Sequence, residues 1–216
     1  IKAKNMTDYH PGLDGVIATE SSISDIDGKK GILSYRGYSI EELAEKSTFE
    51  ETAYLLLTGE LPTKSELESF ITKINSRRDL PEGMIKLLQT LPKDSNPMDV
   101  IQLAVSSLGT FYPIEFDAEK LKANKYTTEY FIDVSAGMIG SIGSIVAAWN
   151  RIKNNKAYIK PNNKLSYAEN FMYMLDDSIK VTPLINRIID ATLILHAEHT
   201  INASTFTAMV TSSTLA

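Results

Sequence analysis

From Ser39 onward the chain is punctuated by helix starts. Ser39-Ile-Glu-Glu42, Thr48-Phe-Glu-Glu51, Thr63-Lys-Ser-Glu66 and Ser166-Tyr-Ala-Glu169 each set a hydroxyl residue three positions before a glutamate. In that pattern side chain and backbone satisfy each other's unpaired groups at a helix N-terminus. Thr182-Pro183 adds an N-cap followed by proline at the first helical position. Gly59, Pro62, Pro81, Pro92 and Pro97 separate the segments. The spacing predicts helices near 40–46, 49–58, 64–77, 82–91, 97–108, 127–153, 167–175, 183–198 and 203–216.

Only one region reads as strand. Val16–Glu20 and Gly31–Tyr35 flank Ser24–Lys30, with Asp27-Gly28 as a turn signal. One short hairpin cannot support a sheet protein by itself, so the expected class is all-α with a small β-hairpin near the N-terminus. No linker tract or internal repeat divides the 216 residues, and the loosest stretches, 109–125 and 154–165, read as surface connections. Ile1 begins the chain without a methionine, and Ala216 falls inside a helical run. Both features predict a piece of a longer protein.

Composition excludes several functions. A hydrophobic content of 43% and a charged content of 23% describe an ordinary globular protein. A formal charge of −5 leaves no electrostatic footprint for nucleic acid. No stretch is expected to reach the apolar length that spans a bilayer, and the polar start Ile1-Lys-Ala-Lys-Asn5 is not a secretory signal. The absence of cysteine removes disulfide, thiolate and cysteine–zinc chemistry. The location expected from these features is cytoplasmic.

The segment richest in chemistry is Leu193-Ile-Leu-His-Ala-Glu-His199-Thr-Ile-Asn202-Ala-Ser-Thr205. His196 and His199 stand three residues apart at the end of an apolar run, Leu184–Leu195, that is expected to be buried. The spacing predicts both imidazoles on one helix face, with Asn202 opening the next helix. Such a pair can be ordinary hydrogen-bonding histidines, or a metal pair with Glu198 or Glu129 as a further ligand. The His-Glu-x-x-His metalloprotease spacing is absent, which weakens the metal reading, and no metal is expected. A third possibility is a dicarboxylate site, since a histidine can polarise a ketone and pair with carboxylates. Arg77-Arg78-Asp-Leu-Pro81 reads by itself as a solvated charge pair at a helix end. Gly137, Gly140 and Gly143 form a row on a long helix, where glycine costs ~1 kcal/mol each against alanine. Close packing is the expected compensation, within the chain or against a second copy.

These strings together resemble the citrate synthases and 2-methylcitrate synthases. Leu-His-Ala-Glu-His199 with Asn202-Ala-Ser-Thr is similar to the family's oxaloacetate-binding histidine region. Gly12 to Gly28, Leu33-Ser-Tyr-Arg-Gly-Tyr-Ser-Ile-Glu-Glu-Leu-Ala44 and Phe49 to Pro62 resemble its opening, in order and at the family spacing. Arg36 within that opening reads as a locally paired structural arginine. Asn96, Gln102 and Met209 depart from the family's usual His, Arg and Arg.

The resemblance implies that the chain is the N-terminal part of a large helical domain, the small domain and the rest of the large one lying outside it. It implies a Claisen-type condensation of acetyl-CoA with oxaloacetate, giving citrate and free coenzyme A. It assigns His199 and Arg78 to substrate binding, with His196 and Asn202 supporting. The enolate histidine and the base aspartate of the family lie downstream, so no catalytic residue is assigned here and the isolated chain is expected to be inactive. Acetyl-CoA enters as a substrate, no cofactor is held permanently, and a homodimer without nucleic-acid or membrane partners is implied. Propionyl-CoA as the acyl donor is the alternative, and a non-catalytic module acting through its dimer surface is the competing class.

Overall fold

The computed structural model describes residues 10, 15–17, 19–113 and 127–213; the Gly12–Asp14 part of the opening string lies outside them. Helices dominate: α1 Ile40–Lys46, α2 Phe49–Thr58, α3 Lys64–Asn75, α4 Glu82–Thr90, α5 Pro97–Phe111, α6 Thr128–Lys153, α7 Tyr167–Leu175, α8 Pro183–Leu195 and α9 Ala203–Ser213. Complete capping boxes form at Thr48, Thr63 and Ser166. Ser39 and Thr182 accept the backbone N–H groups of Glu42 and Ile185. Each cap contributes ~1 kcal/mol.

The β element is a three-stranded antiparallel sheet, β1 Ser24–Asp27, β2 Ile32–Tyr35 and β3 Tyr38–Ser39. The expected first strand at Val16–Glu20 is corrected, because Val16, Ile17, Thr19 and Glu20 carry no strand. Ser24 pairs with Tyr35 and Asp27 with Ile32. Asp27 closes the turn between them by accepting the N–H groups of Lys29 and Lys30. Arg36 and Gly37 join β2 to β3 with φ of 49° and 88°, the pair of left-handed residues that matches strand twist in a tight hairpin. The Arg36 guanidinium donates to Ser22 Oγ and the Leu56 carbonyl, which makes it a locally paired structural arginine.

Helix α6 is the spine. Its C-terminal half sets Ile145, Ala148, Trp149 and Ile152 against Met84 and Leu88 of α4 and Val100, Ala104 and Leu108 of α5. Its N-terminal half carries Ala136 into a second cluster with Phe70, Ile74 and Tyr167. A third cluster, Tyr35, Ile40, Leu43, Leu55 and Ile194, ties the sheet to α1, α2 and the end of α8.

Two expectations are corrected here, and one pair of alternatives is decided. By length and composition α6 meets the measure of a membrane-spanning helix, so a segment of that kind does exist. Its place in two core clusters accounts for that composition. The glycine row is consumed by packing inside the chain rather than facing a second copy. A Cβ at Gly140 would collide with the Ile74 carbonyl oxygen, and one at Gly143 would lie 2.8 Å from the Tyr167 hydroxyl. Finally, only Asp190 and Ile194 of α8 are fully buried, while Leu184 and Ile188 are 69% and 54% exposed. α8 packs on α1, α2 and α7 by one face, and Leu184 and Ile188, four apart, share the other.

Candidate active site

Helix α8 stops at Leu195, three residues before the predicted end, and His196 is its C-cap. The two imidazoles therefore do not share a helix face. The Ala197 N–H still bonds to the Ile194 carbonyl, but Thr200 turns left-handed at φ 73°. For a β-branched residue that conformation costs about 1–3 kcal/mol, and such strain gathers at functional sites. The Glu198 carboxylate holds the bend by accepting the Thr200 N–H, and it also accepts the Ser24 hydroxyl at 3.1 Å. The chain then enters α9 at Ala203. Asn202 caps that helix, its Oδ1 accepting the Thr205 N–H at 2.8 Å.

The bend borders an open cavity of about 330 Å³. His196, Glu198, His199, Asn202 and Thr205 line it from the α8–α9 connection, and Ser21 and Ile23 from the approach to the sheet. His196 Nδ1 lies 2.8 Å from the Thr192 carbonyl. A carbonyl only accepts, so the neutral ring carries its proton on Nδ1 and presents Nε2 as an acceptor. His199 is exposed, with no hydrogen-bond partner among the described residues. The start of α9 borders the same space, which favours an anion there. A histidine and a helix N-terminus thus meet in one cavity.

Arg78 is not part of it. The side chain is 1% exposed and sits under α7, its Nη1 donating to the Leu165 carbonyl and its Cζ 5.3 Å from the Tyr167 ring centre. It is no solvated charge pair. Glu50 is also buried; its Oε1 accepts the Tyr167 N–H at 2.8 Å. Burial pushes the Glu50 carboxyl up; the hydrogen bond from the Tyr167 N–H offsets this in part, and the Arg78 charge adds a smaller offset. Burial also lowers the Arg78 guanidinium, opposed by Glu50. Arg78 Nε and Nη2 and Glu50 Oε2 have no hydrogen-bond partner among the described residues.

With this geometry in view, the relatives are informative. A family model described as "Citrate synthase, C-terminal domain" matches residues 12–216. The chain belongs to the citrate synthase family. It is 44% identical over 207 residues to the citrate synthase of Acidithiobacillus ferridurans, covering 96% of this chain and 53% of that protein. It is 41% identical over 213 residues to that of Synechocystis, covering 97% and 51%. Among solved structures, the citrate synthase from Pyrobaculum aerophilum superposes with a TM-score of 0.83 at 38% identity, covering 94% of this chain and 50% of that one. The one from Thermotoga maritima gives 0.77 at 39%. The chain spans about half the length of the curated relatives it matches.

Within the citrate synthase pattern, the departures take structural places. Asn96 is the N-cap of α5, accepting the Met98 N–H at 2.9 Å, while Gln102 and Met209 are exposed. The contacts that sequence reasoning missed are those holding the histidine bend. From the sequence, Ser24 falls in a turn, Tyr35 at a strand end and Glu198 as an alternative metal ligand, and nothing there brings them together. Their bonds to the histidine segment span more than 150 residues, and no local spacing reports that.

Proposed function

We propose that this chain supplies the oxaloacetate-binding histidine segment of a citrate synthase that condenses acetyl-CoA with oxaloacetate. Within the domain that the family model describes, we read it as the N-terminal part of the large helical domain. The observation that carries the reading is the meeting of His196, His199 and the Asn202-capped start of α9 around one cavity. In the reaction, the α-carbon of acetyl-CoA loses a proton and attacks the ketone carbon of oxaloacetate. A carbon–carbon bond forms, and the ketone oxygen gains negative charge and then a proton. Water cleaves the thioester, releasing citrate and coenzyme A. A ring N–H of His199 aimed at the ketone oxygen stabilises the charge as it develops, while α9 favours a carboxylate of the same substrate. His196 and Asn202 support this by shaping the bend. Relatives named citrate synthase at 40–44% identity favour acetyl-CoA over propionyl-CoA.

The reading includes a homodimer. Its support is the α6 face on which Phe131, Met138 and Ile142 recur seven and four residues apart and are exposed in the single chain. It also includes a cytoplasmic location, in accord with the absence of cysteine. The test is release of free coenzyme A thiol by the full-length protein, offered oxaloacetate with acetyl-CoA or propionyl-CoA. Oxaloacetate-dependent release with acetyl-CoA is expected, and its absence overturns the proposal.

A further inference from the structure

We propose that the N-terminal sheet positions His199, through the Tyr35 hydroxyl and Ser24. This rests on the reading of His199 as the ketone-polarising group and adds to it the element that fixes its place. Tyr35 is fully buried at the end of β2. Its hydroxyl lies 3.1 Å from the Ile194 carbonyl in the last turn of α8 and 3.0 Å from the Glu198 carbonyl, and it accepts the Glu198 N–H at 3.2 Å. A phenol has one proton and two lone pairs. Its one proton goes to one of the two carbonyls at a time, or is shared between them, while a lone pair takes the Glu198 N–H, so one side chain bridges the helix end and the backbone of the residue next to His199. It does so from a strand more than 150 residues away in sequence. Ser24, paired with Tyr35 across β1 and β2, reaches the same residue from the other side by donating to Glu198 Oε1.

The His199 ring has no hydrogen-bond partner among the described residues, so its placement comes from its backbone. That backbone is held between Glu198, fixed by Tyr35, and Thr200, whose left-handed turn is fixed by the Glu198 carboxylate. The carboxylate of Glu198 is thereby engaged by Ser24 and Thr200. Tyr35 and Ser24 are positioning residues rather than groups that meet substrate. His196 is different, because its ring is tied to Thr192 within α8.

The test uses histidine-selective labelling of the full-length protein, with His199→Ala to assign the signal. In Tyr35→Phe, the His199 imidazole signals are expected to move while those of His196 stay. Amide exchange at Glu198 and Thr200 should quicken by about tenfold or more. In the same variant, kcat should fall by about tenfold to a hundredfold, the scale of a misplaced reacting group, with the KM for acetyl-CoA unchanged. Unmoved His199 signals with unchanged Glu198 exchange overturn the proposal. Signals of both histidines moving together also overturn it, since that describes general loosening of α8. Should Tyr35→Phe fail to fold, Ser24→Ala is measured in its place, and the same outcomes support or overturn the proposal. The spectra and exchange are read without substrate. They judge the positioning role independently of whether the unsubstituted protein turns over oxaloacetate.

Discussion

Glu50 accepts the backbone N–H of Tyr167 at 2.8 Å across the contact between α2 and α7, and both residues are buried. A carboxylate at the start of α7 is well placed for the helix dipole, yet burial outweighs that and raises the Glu50 carboxyl. The folded chain thus prefers the proton more than the unfolded chain does. Stability from this group is full below the ordinary carboxylate range and is lost as pH rises through the raised value. Glu50→Gln keeps an acceptor for Tyr167 and removes the titration. Urea unfolding between mildly acidic and neutral pH should show a flatter stability profile in Glu50→Gln than in the unsubstituted protein. An unchanged profile would place the charge in water.

Arg78 supplies the nearby positive charge that partly offsets that burial. Arg78→Met removes that charge and the bond to the buried Leu165 carbonyl, and is expected to cost about 1–3 kcal/mol in urea unfolding. Part of that loss should return in Arg78→Met/Glu50→Gln, because the carboxylate whose burial Arg78 helps to offset is gone. If Arg78 instead anchors a substrate carboxylate, Arg78→Lys will raise the oxaloacetate KM without lowering stability.

Gly140 and Gly109 separate packing from propensity. Gly140→Ala drives a methyl into a backbone oxygen of α3, and the crowding should cost more than the ~1 kcal/mol that alanine gains in a helix. Gly109, near the end of α5, has nothing within 4 Å of a built Cβ, so Gly109→Ala should stabilise by about 0.5–1 kcal/mol. Thermal unfolding of the two variants should move in opposite directions.

Much of the fold was written locally. Thr48, Thr63 and Ser166 form the full capping boxes that their spacing predicts, because a cap involves only residues three apart. The end of α8 was not legible. Leu-His-Ala-Glu-His continues an apolar helical period, and what stops it is Tyr35 and Ser24 from a distant sheet. The exposure of Leu184 and Ile188 escaped for a similar reason, since periodicity shows that a face is apolar without showing what covers it. Ser24–Asp27 reads as turn by composition and becomes strand only because β2 pairs with it. Of the site, His196, His199 and Asn202 do line one cavity, whereas burial places Arg78 elsewhere.

His199→Ala should leave the melting temperature within about 1 °C, because an exposed side chain without special contacts contributes little to stability. In the full-length protein it should slow turnover by about a hundredfold or more, the scale of losing one oxyanion donor. His196→Ala removes a bond to the Thr192 carbonyl at the helix end and should lower stability more than turnover. Steady-state kinetics and thermal melts on the same two samples check the contrast, and equal effects on both would refute it.

The 216 residues as an isolated molecule are expected not to make citrate. Condensation requires a base for the α-proton and a donor for the enolate, both held near the ketone. In the proposed reading His199 addresses the ketone alone. Among the described residues lining the cavity the one carboxylate is Glu198, and Ser24 and Thr200 already occupy it. His196 Nδ1 is committed to Thr192, so that ring offers the cavity an acceptor rather than a donor while it is neutral. A free-thiol assay on the purified chain, with oxaloacetate and acetyl-CoA, checks this directly. Oxaloacetate-dependent release well above a His199→Ala control would mean that the acid and base are already present among these residues, with Glu198 and His196 the first to test.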